Sequence, residues 1–270
     1  MLYFKELLCN ALQPKASNII DSQIGHMSRS LSRNESTRVK TEQDNNDYFF
    51  ERLIFKHRED AAKRLADKLK FLVKSANELI ILAIPRGGVV TGDVVASILG
   101  ARLDIVVSRK IGAPYNSELA IGAVMHDGSF FPNEDVINML NVSQEYIDEQ
   151  ISIQRKEIER RLMRFRGSKQ YHLQGKTIIL VDDGIATGAT MFAAIRWLGN
   201  QKLRGLIVAV PVAPKDTFDK LKEEEKVDDV VVLQSPLVFS AVGAFYEDFS
   251  QVSDEQVIEI MNKYRYKKGL

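Results

Sequence analysis

Five short apolar runs, each closed by polar or turn-forming residues, constrain this chain most strongly. They are "ELIILAIP" at residues 78–85, "RLDIVVSRKI", "KTIILVDD", "RGLIVAVPVA" and "DDVVVLQSP". Runs of this length, nearly unbroken and rich in Val and Ile, mark strands covered on both faces. Between them lie stretches with helical spacing. In "FKHREDAAKRLADKLKFL" the apolar residues are Ala61, Ala62, Leu65, Leu69 and Leu72. "GGVVTGDVVASILG" reads as a turn and a helix, and "ATMFAAIRWLG" and "PKDTFDKLKEEE" as helices. Strands alternating with helices predict an α/β fold, a mostly parallel sheet flanked by helices. Such sheets bind ligands beyond the carboxyl ends of their strands.

Two further segments add to this frame. "ELAIGAVMHDGSFFP" alternates in polarity and turns at Asp127-Gly128, which predicts a hairpin. "VSQEYIDEQISIQRKEIERRLMRFRG" predicts a long helix with Ser143 as N-cap and Ile147, Ile151, Ile158 and Leu162 as its apolar stripe. By contrast, residues 14–47 are dominated by Ser, Asn, Gln and charges. Such a segment buries too little surface to offset its ordering entropy. The expected organisation is therefore a largely disordered extension over residues 1–47 and one domain over residues 48–270.

Composition narrows the function classes. The chain has 270 residues, 45% of them hydrophobic, enough for a sizeable core. Its 37 basic and 36 acidic residues give a net charge of +1, so it is not built as a general polyanion binder and nucleic acid is not an expected partner. The single cysteine, Cys9, permits no intrachain disulfide and suits a reducing cytoplasm. No apolar run approaches the roughly 18 to 20 residues of a membrane helix. Lys5 and Glu6 interrupt the first residues too early for a signal-peptide core. The expectation is a cytoplasmic protein without a membrane partner. Its four histidines lack metal-ligand spacing.

The third run ends in the most informative stretch, "TIILVDDGIATGAT". Asp182 and Asp183 emerge where a buried strand ends. The residues that follow are small, carry the hydroxyls of Thr187 and Thr190, and lead into a helix. Small side chains let backbone N–H groups approach an anion, and a helix N-terminus adds favourable partial charge. The loop therefore suits a monophosphate. The two acids would repel that phosphate unless they serve another part of the ligand, and ribose hydroxyls can donate to them. An isolated Asp-Asp pair would serve equally well to cap a turn; the strand, loop and helix around it favour the ligand. Other phosphate motifs fit poorly: "GIATGAT" has no Lys, and no G-x-G-x-x-G follows any of the runs.

"IILVDDGIATGAT" resembles the phosphoribosyl pyrophosphate (PRPP) motif of type I phosphoribosyltransferases, and the resemblance extends over roughly residues 50–264. It implies that fold with a small hood. It also implies that Asp182 and Asp183 hold the ribose, while Ala186, Thr187, Gly188, Ala189 and Thr190 hold the 5-phosphate. "AIPRGGVVTG" follows the first strand as the family's pyrophosphate loop does, implying roles for Arg86, Gly87 and Gly88 and a cis peptide between Pro85 and Arg86. Arg109 and Lys110 of "SRKIG" resemble the basic pair that meets the pyrophosphate. "VFSAVGAFYEDFSQVSD" resembles the hood, where Phe239 would stack on the base and Asp248 would meet Mg2+; there Phe245, Tyr246 and Phe249 equally suit core or dimer packing.

The activity implied is transfer of the phosphoribosyl group from PRPP to a nitrogenous acceptor, with magnesium, in a homodimer. Ala186 stands where many 6-oxopurine enzymes carry an acid, so the acceptor stays open. A PRPP-binding sensor on the same fold is the rival reading. The helix over residues 143–166 lies where the family has its flexible lid, but it is longer than a lid, and most of its arginines read as a solvated face.

Overall fold

The five apolar runs form one parallel sheet: β1 (Leu79–Ala83), β2 (Arg102–Ile105), β6 (Thr177–Val181), β7 (Gly205–Val212) and β8 (Asp229–Gln234), in the order β2-β1-β6-β7-β8. The computed structural model describes residues 54–71 and 78–265. The extension expected over residues 1–47, and Leu72 of the first helix, lie outside the described residues.

Alternation of side chains explains why the runs are continuously apolar. Ile81, Ala83, Ile179, Val181, Ile207 and Ala209 enter a core beneath one set of helices. That set comprises α1 (Arg58–Leu69), α2 (Gly87–Leu99), α4 (Gln144–Arg166) and α7 (Asp254–Arg265). Ile80, Leu82, Ile178, Leu180, Leu206 and Val208 face the other core, with α5 (Ala189–Leu198) and α6 (Lys215–Glu223). Successive residues point to opposite faces, so burial of both faces requires apolar residues at every position.

The second run departs from the reading of a single strand. β2 ends at Ile105, and the chain resumes as β3 (Ser108–Ala113) in a separate antiparallel sheet with β4 (Asn116–Met125) and β5 (Phe130–Pro132). The reason is partner supply. Val106 N–H still donates to Ala83 O at 3.0 Å, but β1 ends there. The backbone beyond finds its partners in β4 instead. The hairpin turning at Asp127-Gly128 is present as β4 and β5.

α4 begins at its expected cap, where Ser143 Oγ accepts from Tyr146 N–H, and it buries Ile147, Ile158 and Leu162. It is a packed helix rather than a lid. The tip of the β3–β4 hairpin is open to solvent, with Tyr115 fully exposed. Two helices were not read from the sequence: α3 (Glu134–Leu140) and α7. No helix among the described residues is long and apolar enough to cross a membrane.

The strand order places the site. From β1 the chain moves outward to β2; from β6 it moves the opposite way, to β7 and β8. The order thus reverses between β1 and β6, and the loops leaving these two strands flank the crevice at their carboxyl ends. That crevice is where open α/β sheets bind ligands.

Candidate functional site

β6 delivers Asp182 and Asp183 to this crevice, and β1 delivers Arg86, Gly87 and Gly88 beside them. The peptide between Pro85 and Arg86 is cis. The glycines do more than expose N–H groups, which was their expected role. A Cβ on Gly87 would lie 1.8 Å from Asp183 Oδ2, and one on Gly88 would lie 2.9 Å from Asp182 Cα. Both positions must be glycine for the loops to close on each other. The turn falls on Pro85 and Arg86, so Gly87 and Gly88 already belong to α2 rather than to the turn expected from sequence.

The loop after the acids ends on Gly188, whose φ of 78° lies in the left-handed region. Gly188 precedes α5, so the first N–H groups of this helix point into the loop. Ala186 and Thr187 are exposed, and Thr217 Oγ1 donates to Ala186 O at 3.3 Å from α6. Ser108 Oγ donates to Thr190 O at 3.2 Å, tying the loop to β3.

The two acids are not equivalent. Asp182 Oδ1 accepts from Asp183 N–H at 2.8 Å. Burial first, and then the Asp183 charge, push the Asp182 carboxyl well above the usual carboxylate range. Asp183 instead has a cation: Arg58 Nε donates to its Oδ2 at 2.7 Å, with both side chains largely buried. Tyr246 Oη donates to Asp183 O at 2.6 Å, and burial raises this phenol so that it keeps its proton.

The basic residues divide. Lys110 is exposed within β3, in the segment that follows the carboxyl end of β2. Arg109 Nε donates to Gln154 Oε1 of α4 at 2.5 Å. Burial and the charge of Arg161 lower the Arg109 guanidinium from its ordinary value. Arg86 Nη1 lies 3.5 Å from Asp254 Oδ1, while Arg164 Nη1 holds the other oxygen of Asp254 at 2.9 Å. α7 thus ties the β1 loop to α4.

In the hood, Phe239 is half-buried and stacks on Phe245, with ring centroids 5.4 Å apart. Phe245 and Tyr246 pack with Phe55 and Val212, so much of the aromatic cluster is core. Asp248 is exposed; its Oδ1 accepts from Ser250 N–H at 2.9 Å, which lowers its carboxyl. It shares a cleft of about 320 Å³ with His57, Arg58 and Glu59. Among the described residues no group of three or more His, Cys, Asp or Glu could hold a metal ion. A larger cleft of about 890 Å³ runs along α5 and touches the loop after the acids only at Thr187 and Ala189.

Sequence reasoning missed Arg58, Tyr246 and Asp254 as neighbours of the site. Arg58 did leave a trace. It is the first residue of α1, where the helix dipole disfavours a cation, so its placement needs a separate reason.

Comparison with known proteins points to the family that the motif suggests. A family model of the phosphoribosyl transferase domain matches residues 53–249. Two Mycobacterium tuberculosis proteins, from strains CDC 1551 and H37Rv and provisionally named phosphoribosyl transferases, are each 37% identical over 214 residues. The match covers 78% of this chain and 47% of theirs, so the chain spans about half the length of the curated relatives it matches. The crystal structure of TT1426 from Thermus thermophilus aligns with a TM-score of 0.67 at 38% identity, covering 78% of this chain and 99% of that one. The matched residues span the sheet, both crevice loops and the hood, and the chain belongs to the phosphoribosyl transferase domain family.

Proposed function

We propose that this protein transfers the 5-phosphoribosyl group from PRPP to a nitrogenous acceptor, a nucleobase, and releases pyrophosphate. The observation that carries the reading is the closure of the two crevice loops, with Gly87 and Gly88 against the acid pair. A ligand spanning them would meet acids from one loop and N–H groups and Arg86 from the other.

In this proposal the acceptor nitrogen attacks C1 of the ribose. The C1–O bond breaks, pyrophosphate leaves with the electron pair, and the acceptor nitrogen loses its proton. Asp182 and Asp183 hold the ribose hydroxyls and favour positive charge at C1. Ala186, Thr187, Gly188, Ala189 and Thr190 hold the 5-phosphate. Arg86, Gly87, Gly88, Arg109 and Lys110 receive the pyrophosphate. Positioning and charge stabilisation then account for catalysis. Phe239 is assigned to the base. The proposal retains a homodimer and a cytoplasmic setting.

Magnesium would neutralise phosphate charge when bound. The described residues do not build a cage for it: Asp248 lies beside Arg58 and His57, and its Oδ1 accepts from Ser250 N–H. The ion is therefore assigned to the polyphosphate, consistent with its preference for substrate phosphates and retained waters. No step is routed through Asp248.

The test is pyrophosphate release from PRPP and magnesium with a panel of purines, pyrimidines and simple amines. Release with one acceptor class supports the proposal. PRPP binding without release from any acceptor would replace the enzyme by a PRPP sensor on the same fold.

A further inference from the structure

Arg58 belongs to α1, an element before the first strand, yet it reaches the acid pair at the carboxyl end of β6. Its guanidinium is committed in three directions. Nε donates to Asp183 Oδ2 at 2.7 Å, and Nη1 donates to Ser250 O at 2.7 Å. Its flat face lies 3.9 Å from the centre of the Phe249 ring. The side chain is only 10% exposed, so these contacts hold it in one orientation.

The elements around it fix the same geometry. Phe55 N–H donates to Phe245 O at 2.9 Å, Glu247 N–H to Phe55 O at 2.8 Å, and Asp248 N–H to Lys56 O at 2.9 Å. The chain entering α1 is thus stitched to the hood. Gly87 closes the remaining side, since a Cβ there would meet both Asp183 Oδ2 and, at 3.0 Å, Arg58 Nε. Asp183 is held from three elements: β6 through its backbone, α1 through Arg58, and the hood through Tyr246.

We propose that Arg58 is a positioning residue for Asp183, fixing the carboxylate in the orientation that accepts a ribose hydroxyl and coupling it to the hood. The proposal rests on the phosphoribosyl reading of the site. A planar guanidinium suits the task because it bonds along fixed directions while its face stacks on an aromatic ring. By engaging Oδ2 through one N–H, it orients the carboxylate without enclosing it. A lysine could supply the charge but not the simultaneous contacts to Ser250 and Phe249.

The test is a double-mutant cycle on PRPP binding, measured by calorimetry with the full chain and magnesium. The variants are Arg58→Met, Arg58→Lys, Asp183→Asn and Arg58→Met/Asp183→Asn, each with its melting temperature. Loss of a charge-assisted contact predicts that Arg58→Met weakens PRPP about tenfold or more, and that Arg58→Lys recovers part of this. In the Asp183→Asn background, removing Arg58 should change affinity less than about twofold, because the charged carboxylate that it orients is gone. Unchanged PRPP affinity in folded Arg58→Met would overturn the proposal, as would equal losses in both backgrounds. If Arg58→Met does not fold, Arg58→Lys completes the same cycle. Failure of the wild type to bind PRPP would overturn the phosphoribosyl reading and this proposal with it. Normal wild-type binding with an additive cycle would overturn this proposal alone.

Discussion

A Cβ placed on Gly87 would lie 1.8 Å from Asp183 Oδ2, so the two crevice loops approach as closely as backbone permits. Gly87→Ala must displace Asp183 or open the loops. The expected cost is about 1 to 3 kcal/mol in urea unfolding, with loss of most PRPP affinity. Gly100→Ala is the control. Gly100 has φ of 65° and nothing within 4 Å of its would-be Cβ, and it lies after α2, away from the acids. It should lose about 1 to 2 kcal/mol of stability through backbone strain and keep its PRPP affinity.

Lys110→Ala should weaken PRPP binding more than Lys176→Ala. Lys110 lies in β3, just past the carboxyl end of β2, whereas Lys176 precedes β6 and sits at the amino ends of the parallel strands. Calorimetric titration of both variants decides it. Equal effects would mean that the pyrophosphate is misplaced in this account.

The architecture was legible because burial on both faces leaves an unmistakable pattern. "IILA" and "TIILV" cannot be amphipathic, and their spacing left little choice but a parallel sheet. The acid pair was legible because carboxylates at the end of such a run are costly without a partner. What the sequence hid were long-range matters. Where β2 stops depends on where β1 stops, since Val106 bonds the last residue of β1, Ala83, and the backbone beyond it pairs with β4 instead. Arg58 and Asp183 are 125 residues apart, and no local pattern links them.

α7 was overlooked despite a local signal. Ser253 and Gln256 form a reciprocal cap: Gln256 N–H donates to Ser253 Oγ at 3.2 Å, and Ser253 N–H to Gln256 Oε1 at 2.8 Å. Ser253→Ala should cost about 1 kcal/mol in urea unfolding. Because α7 carries Asp254, which bridges Arg86 and Arg164, a modest weakening of PRPP binding should accompany it.

His126 should make stability pH-dependent. Its ring packs on Tyr171 and Trp197, at 4.9 and 5.0 Å, and its Nδ1 is buried without a hydrogen-bond partner among the described residues. Burial, opposed by Asp127 and Glu159 and aided by Arg166 and Arg155, lowers its pKa from the ordinary 6.5. The unfolded chain therefore takes up the proton more readily. The contribution of neutral His126 is fully present above pH 6.5 and is lost as pH falls through the lowered folded value. Urea unfolding of His126→Phe between pH 7.5 and 5 should show a smaller decline than the wild type; an identical decline would contradict this.

The central claim is that Asp182 and Asp183 bind ribose, and PRPP affinity of Asp182→Asn and Asp183→Asn tests it most directly. Asn caps turns nearly as well as Asp, so a turn-capping role would survive the change. In Asp182→Asn, the burial and like-charge repulsion that raise this carboxyl are relieved, so the variant should melt no lower than the wild type. Losing the carboxyl contact to a ribose hydroxyl should nonetheless weaken PRPP binding in each variant, by about 1.5 to 3 kcal/mol in Asp183→Asn, whose carboxylate faces Arg58. Calorimetric titration with PRPP and magnesium, on variants shown to melt cooperatively, should therefore give affinities below the wild type in both, roughly tenfold or more in Asp183→Asn. Wild-type affinity in both would contradict the ribose assignment and leave the acid pair a structural element of the β6 turn.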